Sequence, residues 1–340
     1  MRLSELDYDL PAELIAQEPL KRRDEARLLV TDRKSKSFEH SRFYKLVRHL
    51  RDGDLIVLND TRVIPARMRA RKESGGQVEL LLVRPYPEGP SGAWLAMIRV
   101  HRPLKEGARL ILGDGDILKI IGYARPGRAI IVSEGAASIE SAIQRSGTLA
   151  LPHYIHRDVA SADAEDYQTV YAAAPGAIAA PTAGLHFTSE LFQALADAGI
   201  RTARITLHIG PGTFAPVRAL EVERHSMEAE WFTIPPAAQD AIAHTRRIGG
   251  RVIPVGTSAV RALESWAITG DAEGATGLFI YPGFRFKITD AMLTNFHMPR
   301  TTVLALVMAL AGRDVILAAY REAIRHRYRF LSYGDAMLIV

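Results

Sequence analysis

The chain has 340 residues, 48% apolar and 24% charged, with 43 Lys+Arg against 38 Asp+Glu. That is a globular composition long enough for two domains, and it excludes disordered, collagen-like and coiled-coil chains. Cysteine is absent, which excludes disulfides, thiolate metal centres, Fe–S clusters and cysteine nucleophiles. The excess of +5 permits a polyanionic partner without requiring one.

From the N-terminus, Met1 to Asp7 turns acidic at once, with no apolar run of a signal peptide. Pro11 to Gln17 opens with proline at a first-turn position. Leu28-Leu29-Val30 predicts a short buried strand, Phe43–Leu50 a helix and Leu55–Leu58 another strand. From about Val63 to Ser133 the helical signals vanish. Six β-type runs follow, at Arg67–Arg71, Val78–Val83, Trp94–Val100, Arg109–Leu112, Ile117–Tyr123 and Ala129–Val132. Gly75-Gly76, the stretch Pro85 to Gly92, Pro103, Gly113 to Gly115 and Arg125 to Gly127 punctuate them. Six short strands with Gly/Pro breaks predict a small closed antiparallel barrel.

After Ala137 an α/β rhythm returns. Helices are predicted at Ser189–Ala198, Ala237–Ile248, Thr257–Ile268, Thr301–Ala311 and Val315–His326, and strands at Thr202–Ile209, Val252–Val255 and Gly277–Tyr281. The fold class expected is α/β: a large domain over 1–62 and 150–340 with a mostly parallel sheet, interrupted by a six-stranded β-barrel domain at 63–149. The longest apolar run, Val303 to Ala311, falls short of the ~20 residues that span a bilayer. A cytoplasmic, soluble protein is expected.

Several segments carry chemistry. Gly210 to Ala215 matches G-x-G-x-x-G/A formally, but Pro216 falls where the helix of a dinucleotide site should run and Pro211 removes an amide. A constrained loop is the better reading. In Val252 to Glu264 a strand passes through Gly256 into Thr257 and Ser258, which open a helix. The free first-turn amides form an anion or carboxylate site, with Arg261 in the first turn; an ordinary capped helix with an ion pair is the alternative. His186, His208 and His297 each stand beside a turn. A single such histidine is usually structural, while several converging on one pocket suit acid–base chemistry. His225, Glu228 and Glu230 offer metal ligands without the spacing of H-E-x-x-H, so a metal site is not favoured. Arg67, Arg69 and Arg71 alternate with Met68 and Ala70, so all three leave one strand face. That stripe suits phosphates, or equally a solvated surface. Arg325, Arg327 and Arg329 form a second basic patch.

At the level of whole strings the chain resembles the S-adenosylmethionine:tRNA ribosyltransferase-isomerase family of queuosine biosynthesis. The strings are Asp7 to Pro11 with Leu14 to Pro19, Leu58 to Arg67, Tyr167 to Tyr171, Ala180 to Phe187, Leu207 to Phe214, Val255 to Ser265, Phe279 to Gly283, Leu293 to Pro299 and Tyr328 to Ile339. They cover essentially the whole chain. The resemblance implies an α/β domain with an inserted barrel. The reaction it implies moves the ribosyl part of S-adenosylmethionine onto 7-aminomethyl-7-deazaguanine in the wobble position of tRNA. Rearrangement there gives epoxyqueuosine, with release of adenine and methionine. S-Adenosylmethionine is then a co-substrate, no further cofactor or metal is called for, and the chain is expected to be a monomer.

On that resemblance His186 and His208 are candidates for proton transfer, with Glu230 a reserve base or hydroxyl partner. Arg62, Thr257 and Arg261 would hold the methionine carboxylate or a tRNA phosphate. Asn59, Asp60, Thr61, Thr182, Phe187, Gly256, Asn295, His297, Tyr333 and Asp335 would line the substrate pocket, and Arg67, Arg69 and Arg71 would contact tRNA. The chain departs from the family pattern at Glu228, where a histidine is usual, and at His153, where the usual segment is Pro-Pro-Tyr. The metal-dependent hydrolase and the non-catalytic RNA-binding protein are the rival readings.

Overall fold

The computed structural model describes the whole chain except residues 101–103, 136, 215, 216, 218 and 220, and the backbone alone at 213 and 214. Pro103 of the barrel punctuation and Ala215 and Pro216 of the glycine loop therefore lie outside the described residues. The chain divides into two compact units, one of residues 1–62, 153–157 and 165–340, the other of 63–152 and 158–164.

Two larger sheets build the first unit. A five-stranded sheet runs in the order Val252–Pro254, Leu55–Asn59, Arg201–Leu207, Glu230–Thr233, Glu273–Thr276. Leu55–Asn59 is parallel to both neighbours, in register Leu55 with Val252 and with Arg201. Every residue of that strand is buried, the mark of a parallel strand covered on both faces. Alternation splits its side chains: Leu55 and Val57 join a core with Ile205, Phe232, Ile242 and Leu263, while Ile56 and Leu58 join one with Leu28, Phe187, Leu293 and Leu338.

The second sheet runs Met292–Asn295, Ala336–Ile339, Arg27–Asp32, Ser37–Arg42. Within these two sheets parallel pairing joins Arg27–Asp32 to Ala336–Ile339 and Leu55–Asn59 to both of its neighbours, and antiparallel strands complete both sheets. The α/β class holds, with mixed rather than mostly parallel sheets. The sheets meet where Val255 bridges Leu293 and the Gly256 amide donates to the Leu293 carbonyl at 2.8 Å.

Helices form where capping and pattern agree. Thr188 accepts from the Leu191 amide at 3.2 Å to start Ser189–Asp197, and Pro235-Pro236 opens Pro236–Arg247. Phe43–His49 is helical as its spacing predicts, but in tight 3₁₀ form, and Pro11–Gln17 shrinks to one 3₁₀ turn at Ala12–Leu14. The expected strand Gly277–Tyr281 is a correction: the strand is Glu273–Thr276. There the Thr276 hydroxyl accepts from the Leu278 amide at 3.1 Å and turns the chain out of the sheet. Among the described residues no single helix is long and apolar enough to cross a membrane.

The second unit is a closed barrel of six antiparallel strands, in the order Arg128–Ser133, Trp94–Arg99, Gln77–Pro85, Arg67–Lys72, Arg109–Leu112, Ile117–Arg125. Met68, Ala70, Val78, Leu80, Leu110, Leu118, Ile120 and Ile131 fill its interior from alternate positions, and closure leaves no unpaired edge.

Candidate active site

Strand Val252–Pro254 ends at Gly256, whose φ of +85° is open to glycine at little cost. The turn feeds helix Thr257–Thr269, whose N-terminus carries no side-chain cap. A second helix, Thr302–Ala311, starts after Thr301, whose hydroxyl accepts from the Leu304 amide and donates to the Met298 carbonyl at 2.7 Å. Both N-termini border one pocket of about 950 Å³, its open mouth included. Apolar walls come from Ile209, Phe279, Ile280, Val303 and Leu306, and polar groups from Thr182, Thr257, Ser258, Arg261, Asn295 and His297. Positive helix ends above apolar walls suit a ligand with an anionic head and an apolar or aromatic body.

Two buried acceptor-capable atoms on this wall have no partner among the described residues: Asn295 Oδ1 and Thr302 Oγ1. Asn295 is 1% exposed, and its amide nitrogen donates to the Leu331 carbonyl at 3.2 Å. That donation directs Oδ1 elsewhere as an acceptor. Buried polar atoms rarely go unpaired, so both are open to donors from the pocket side, from water or a ligand. His297 Nε2 lies 2.8 Å from Thr294 Oγ1, its amide donates to Tyr320 Oη at 3.0 Å, and its carbonyl accepts from the Tyr8 hydroxyl. Burial pushes its pKa down to about 3, so it lines the pocket as a neutral imidazole.

Arg261 is the lock of the site. Its Nε donates to the Leu278 carbonyl at 3.0 Å, Nη2 to the Thr276 carbonyl at 3.2 Å, and Nη1 to Glu230 Oε2. Glu230 also accepts the Gly210 amide at 2.7 Å. That amide is therefore not open to a pyrophosphate, and Pro211–Phe214 is a 3₁₀ turn. Glu264, one turn along the helix and fully buried, accepts from the Lys287, Ile288 and Thr289 amides and the Thr289 hydroxyl at 2.8–3.0 Å. The exposed ion pair with Arg261 that its spacing allowed is replaced by a loop anchor.

Of the residues predicted from sequence, Thr182, Gly256, Thr257, Arg261, Asn295 and His297 line this pocket. The others lie outside its wall. Asn59 Oδ1 accepts from the Leu207 amide at 3.0 Å and the Thr61 amide at 3.2 Å; its Nδ2 donates to the Leu207 carbonyl and to Ser258 Oγ, each at 3.0 Å. Every hydrogen-bonding direction of that amide is used, so Asn59 positions Ser258 rather than meeting a ligand. Asp60 accepts from the Thr206 hydroxyl at 2.7 Å, and Arg62 is exposed. Phe187 packs in the core against Phe43 and Phe192. Asp335 accepts from the Arg27 and Arg329 amides at 2.8 Å and from Arg27 Nε at 3.2 Å, a clamp on the chain end.

His186 sits behind the wall, its Nε2 3.3 Å from Asn295 Nδ2 and its ring against Phe43. With Tyr333 it borders a smaller cavity of about 300 Å³ beside Arg23 and Ser332. Burial drives its pKa to about 4 against the raising pull of Asp335. His208 lies elsewhere, with Nδ1 2.8 Å from Thr61 Oγ1 and its ring stacked on Trp231 at 5.3 Å. A Cβ at Gly176 would come within 2.8 Å of that ring. Burial lowers the His208 pKa, opposed by Asp60.

His225 sets its ring edge-on to Phe279, and Glu228 packs against Gly212. Among the described residues, the group that brings three metal-ligand atoms within 4.8 Å is not that of His225, Glu228 and Glu230. Arg67, Arg69 and Arg71 leave the outer barrel face as predicted, Arg67 lying 3.5 Å from Glu79. Ser258, Thr301, Thr302, Tyr154 and Ser332 also line the pocket, and sequence reasoning missed them as site residues. Thr301-Thr302 after Pro299 was legible as a helix start, but nothing in the string shows that this helix aims at Gly256.

The model of the queuosine biosynthesis protein family matches residues 3–339. An S-adenosylmethionine:tRNA ribosyltransferase-isomerase from Geobacter sulfurreducens is 46% identical over 344 residues, covering 100% of both chains. One from Anaeromyxobacter sp. is 47% identical over 351 residues, covering 100% of this chain and 99% of its own. The crystal structure of an S-adenosylmethionine tRNA ribosyltransferase from Thermotoga maritima superposes with a TM-score of 0.57 at 36% identity, covering 99% of this chain and 100% of that one. It is similar over essentially its full length, with the same α/β class. The chain belongs to the queuosine biosynthesis protein family.

Proposed function

We propose that this chain is an S-adenosylmethionine:tRNA ribosyltransferase-isomerase that converts 7-aminomethyl-7-deazaguanine at the tRNA wobble position to epoxyqueuosine, releasing adenine and methionine. The pocket between the two helix N-termini, with its two unpartnered buried oxygens, carries the reading. A zwitterionic amino acid joined to a nucleoside fits those features group by group. The carboxylate meets the first-turn amides of Thr257–Thr269, the adenine lies against Phe279 and Leu306, and donors of the ligand reach Asn295 Oδ1 and Thr302 Oγ1.

The chemistry starts at the sulfonium, which acidifies the neighbouring 5′ carbon so that a base removes a proton there; adenine leaves C1′ on taking up a proton, the aminomethyl nitrogen bonds the sugar and loses a proton, and a sugar oxyanion closes the epoxide by displacing methionine sulfur from the 5′ carbon. Each departure needs oriented hydroxyls and a proton donor. His186 holds Asn295 from behind and acts through it as a positioning residue. His208 beside Asp60 and Thr61 is the proton-transfer candidate whose ring lies least deeply buried. Glu230, tied to Arg261 and Gly210, holds the site together in this reading. The Arg67, Arg69 and Arg71 stripe supplies phosphate contacts to tRNA. Acting on tRNA, the enzyme works in the cytoplasm, as a monomer.

Incubation with S-adenosylmethionine and tRNA bearing the aminomethyl base, followed by nucleoside mass spectrometry, tests this. Epoxyqueuosine with free adenine and methionine is expected. tRNA binding without product, and without any effect of S-adenosylmethionine, would favour an RNA-binding protein instead.

A further inference from the structure

Among the described residues, a close group of ligating side chains lies outside the pocket, where strand Ser37–Arg42 meets the end of helix Arg313–Arg325. His40 Nε2 is 3.1 Å from Glu322 Oε1, and His326 Nε2 is 2.9 Å from the same oxygen. The two imidazoles lie 4.3 Å apart, and the three ligand atoms all fall within 4.8 Å of one another. Glu322 and His326 are four residues apart at the helix end, so they share a face.

The ring of His40 is also oriented. Its Nδ1 lies 2.8 Å from the Tyr328 hydroxyl. A proton on Nδ1 donated to that oxygen leaves the Nε2 lone pair directed into the cluster, the arrangement that outer partners impose on metal-bound histidines. Arg27 in turn stacks over the Tyr328 ring at 4.1 Å and donates to the His326 carbonyl at 2.7 Å, holding the far side in place.

Cations surround the group. Arg325 donates to both oxygens of Glu322 at 2.8–3.2 Å, while Arg27, Arg42 and Lys45 border the same cleft. Their repulsion weakens any dication, and Arg325 keeps Oε2 when Oε1 turns inward. Two imidazoles and one carboxylate disfavour the oxygen-seeking Ca²⁺ and Mg²⁺ and suit Zn²⁺, Co²⁺ or Ni²⁺.

We propose that His40, Glu322 and His326 bind a divalent transition metal, Zn²⁺ being the natural example, and that the ion clips strand Ser37–Arg42 to helix Arg313–Arg325. The strand needs such a clip. Among the described residues it pairs with Arg27–Asp32 alone, at the rim of its sheet, and is largely exposed, an edge that proteins usually pin or cover. None of the three ligands lines the candidate active site, so the site is structural and separate from turnover.

The test uses the untagged full-length chain after chelator treatment, titrated with Co²⁺ as a visible probe, then with Zn²⁺ in competition. One Co²⁺ per chain with d–d absorption displaced by Zn²⁺ is expected, together with a Zn²⁺-dependent rise in the unfolding midpoint. His40→Ala, His326→Ala and Glu322→Gln should each weaken binding at least ~10-fold and abolish the rise, and Tyr328→Phe should weaken it about 10-fold through ring orientation. His40 and His326 are exposed and Glu322 partly so, and circular dichroism checks that each variant folds. Absence of Co²⁺ absorption, or affinity unchanged in His40→Ala, overturns the proposal. So does a midpoint that Zn²⁺ leaves unmoved.

Discussion

Replacing Arg261 by methionine should be among the most damaging single changes in the first unit. Arg261 and Glu230 have side chains only 5% exposed, so solvent screens their pairing little. Methionine keeps much of the volume but leaves the Glu230 carboxylate buried beside the Gly210 amide without its guanidinium. Removing one member of a buried pair costs about 3–5 kcal/mol, because the other charge stays buried. The Thr276 and Leu278 carbonyls lose donors as well, but near the pocket water can replace them at smaller cost. A loss of about 4 kcal/mol is thus expected, a large part of the ~5–15 kcal/mol that holds a domain together. Urea unfolding followed by circular dichroism reads it. The companion Glu230→Gln/Arg261→Met variant removes the stranded charge and should recover about 2 kcal/mol. A single variant losing under ~1 kcal/mol, or a double variant equal to the sum of the singles within ~0.5 kcal/mol, would refute the reasoning.

Thr302→Val should weaken S-adenosylmethionine binding roughly 10-fold, about 1.4 kcal/mol, with little effect on stability, since its hydroxyl has no partner among the described residues; calorimetric titration reads the first and thermal unfolding the second. Gly256→Ala, at φ +85°, should cost ~1–2 kcal/mol and slow turnover by tilting the helix start, which thermal unfolding and single-turnover assays would show. Burial lowers the folded pKa of His186 from the ordinary 6.5 to about 4, so the unfolded chain binds its proton first. Stability is then full above about pH 6.5 and falls as pH drops toward 4, by up to roughly 3 kcal/mol, and His186→Asn should flatten the midpoint–pH curve in that window. Charge reversal at Arg69 and Arg71 should weaken tRNA binding most at low salt, leaving S-adenosylmethionine binding unchanged. The salt slope should become shallower by about one for each phosphate no longer neutralised.

The six barrel strands and the helices after Thr188 could be read from the sequence because their signals are local. Strict alternation such as Arg67-Met68-Arg69-Ala70-Arg71 fixes which face is inward before any partner is known. The strand–Gly256–helix turn was legible for the same reason, since positive φ and an uncapped first turn belong to a few consecutive residues. Strand Ala336–Ile339 carries no alternation, being buried on both faces between Arg27–Asp32 and Met292–Asn295. Ser37–Arg42 is too polar to announce itself as a strand.

The site divides along that line too. Composition and motif strings determined an α/β chain with an inserted barrel, a strand–glycine–helix turn at Gly256 as a candidate anion site and a set of histidines and polar residues worth watching. Which of those residues meet was decided only by tertiary structure. Asn59 looks like a pocket residue in the string, yet its four hydrogen bonds are used up between Leu207, Thr61 and Ser258. Asn295 looks the same, yet keeps Oδ1 unpaired on the pocket wall. The physical reason is that a side chain's chemistry depends on which of its donors and acceptors the fold leaves unsatisfied. Leu207 and Ser258 lie 148 and 199 residues from Asn59, and Leu331 lies 36 from Asn295, distances over which no local pattern reaches.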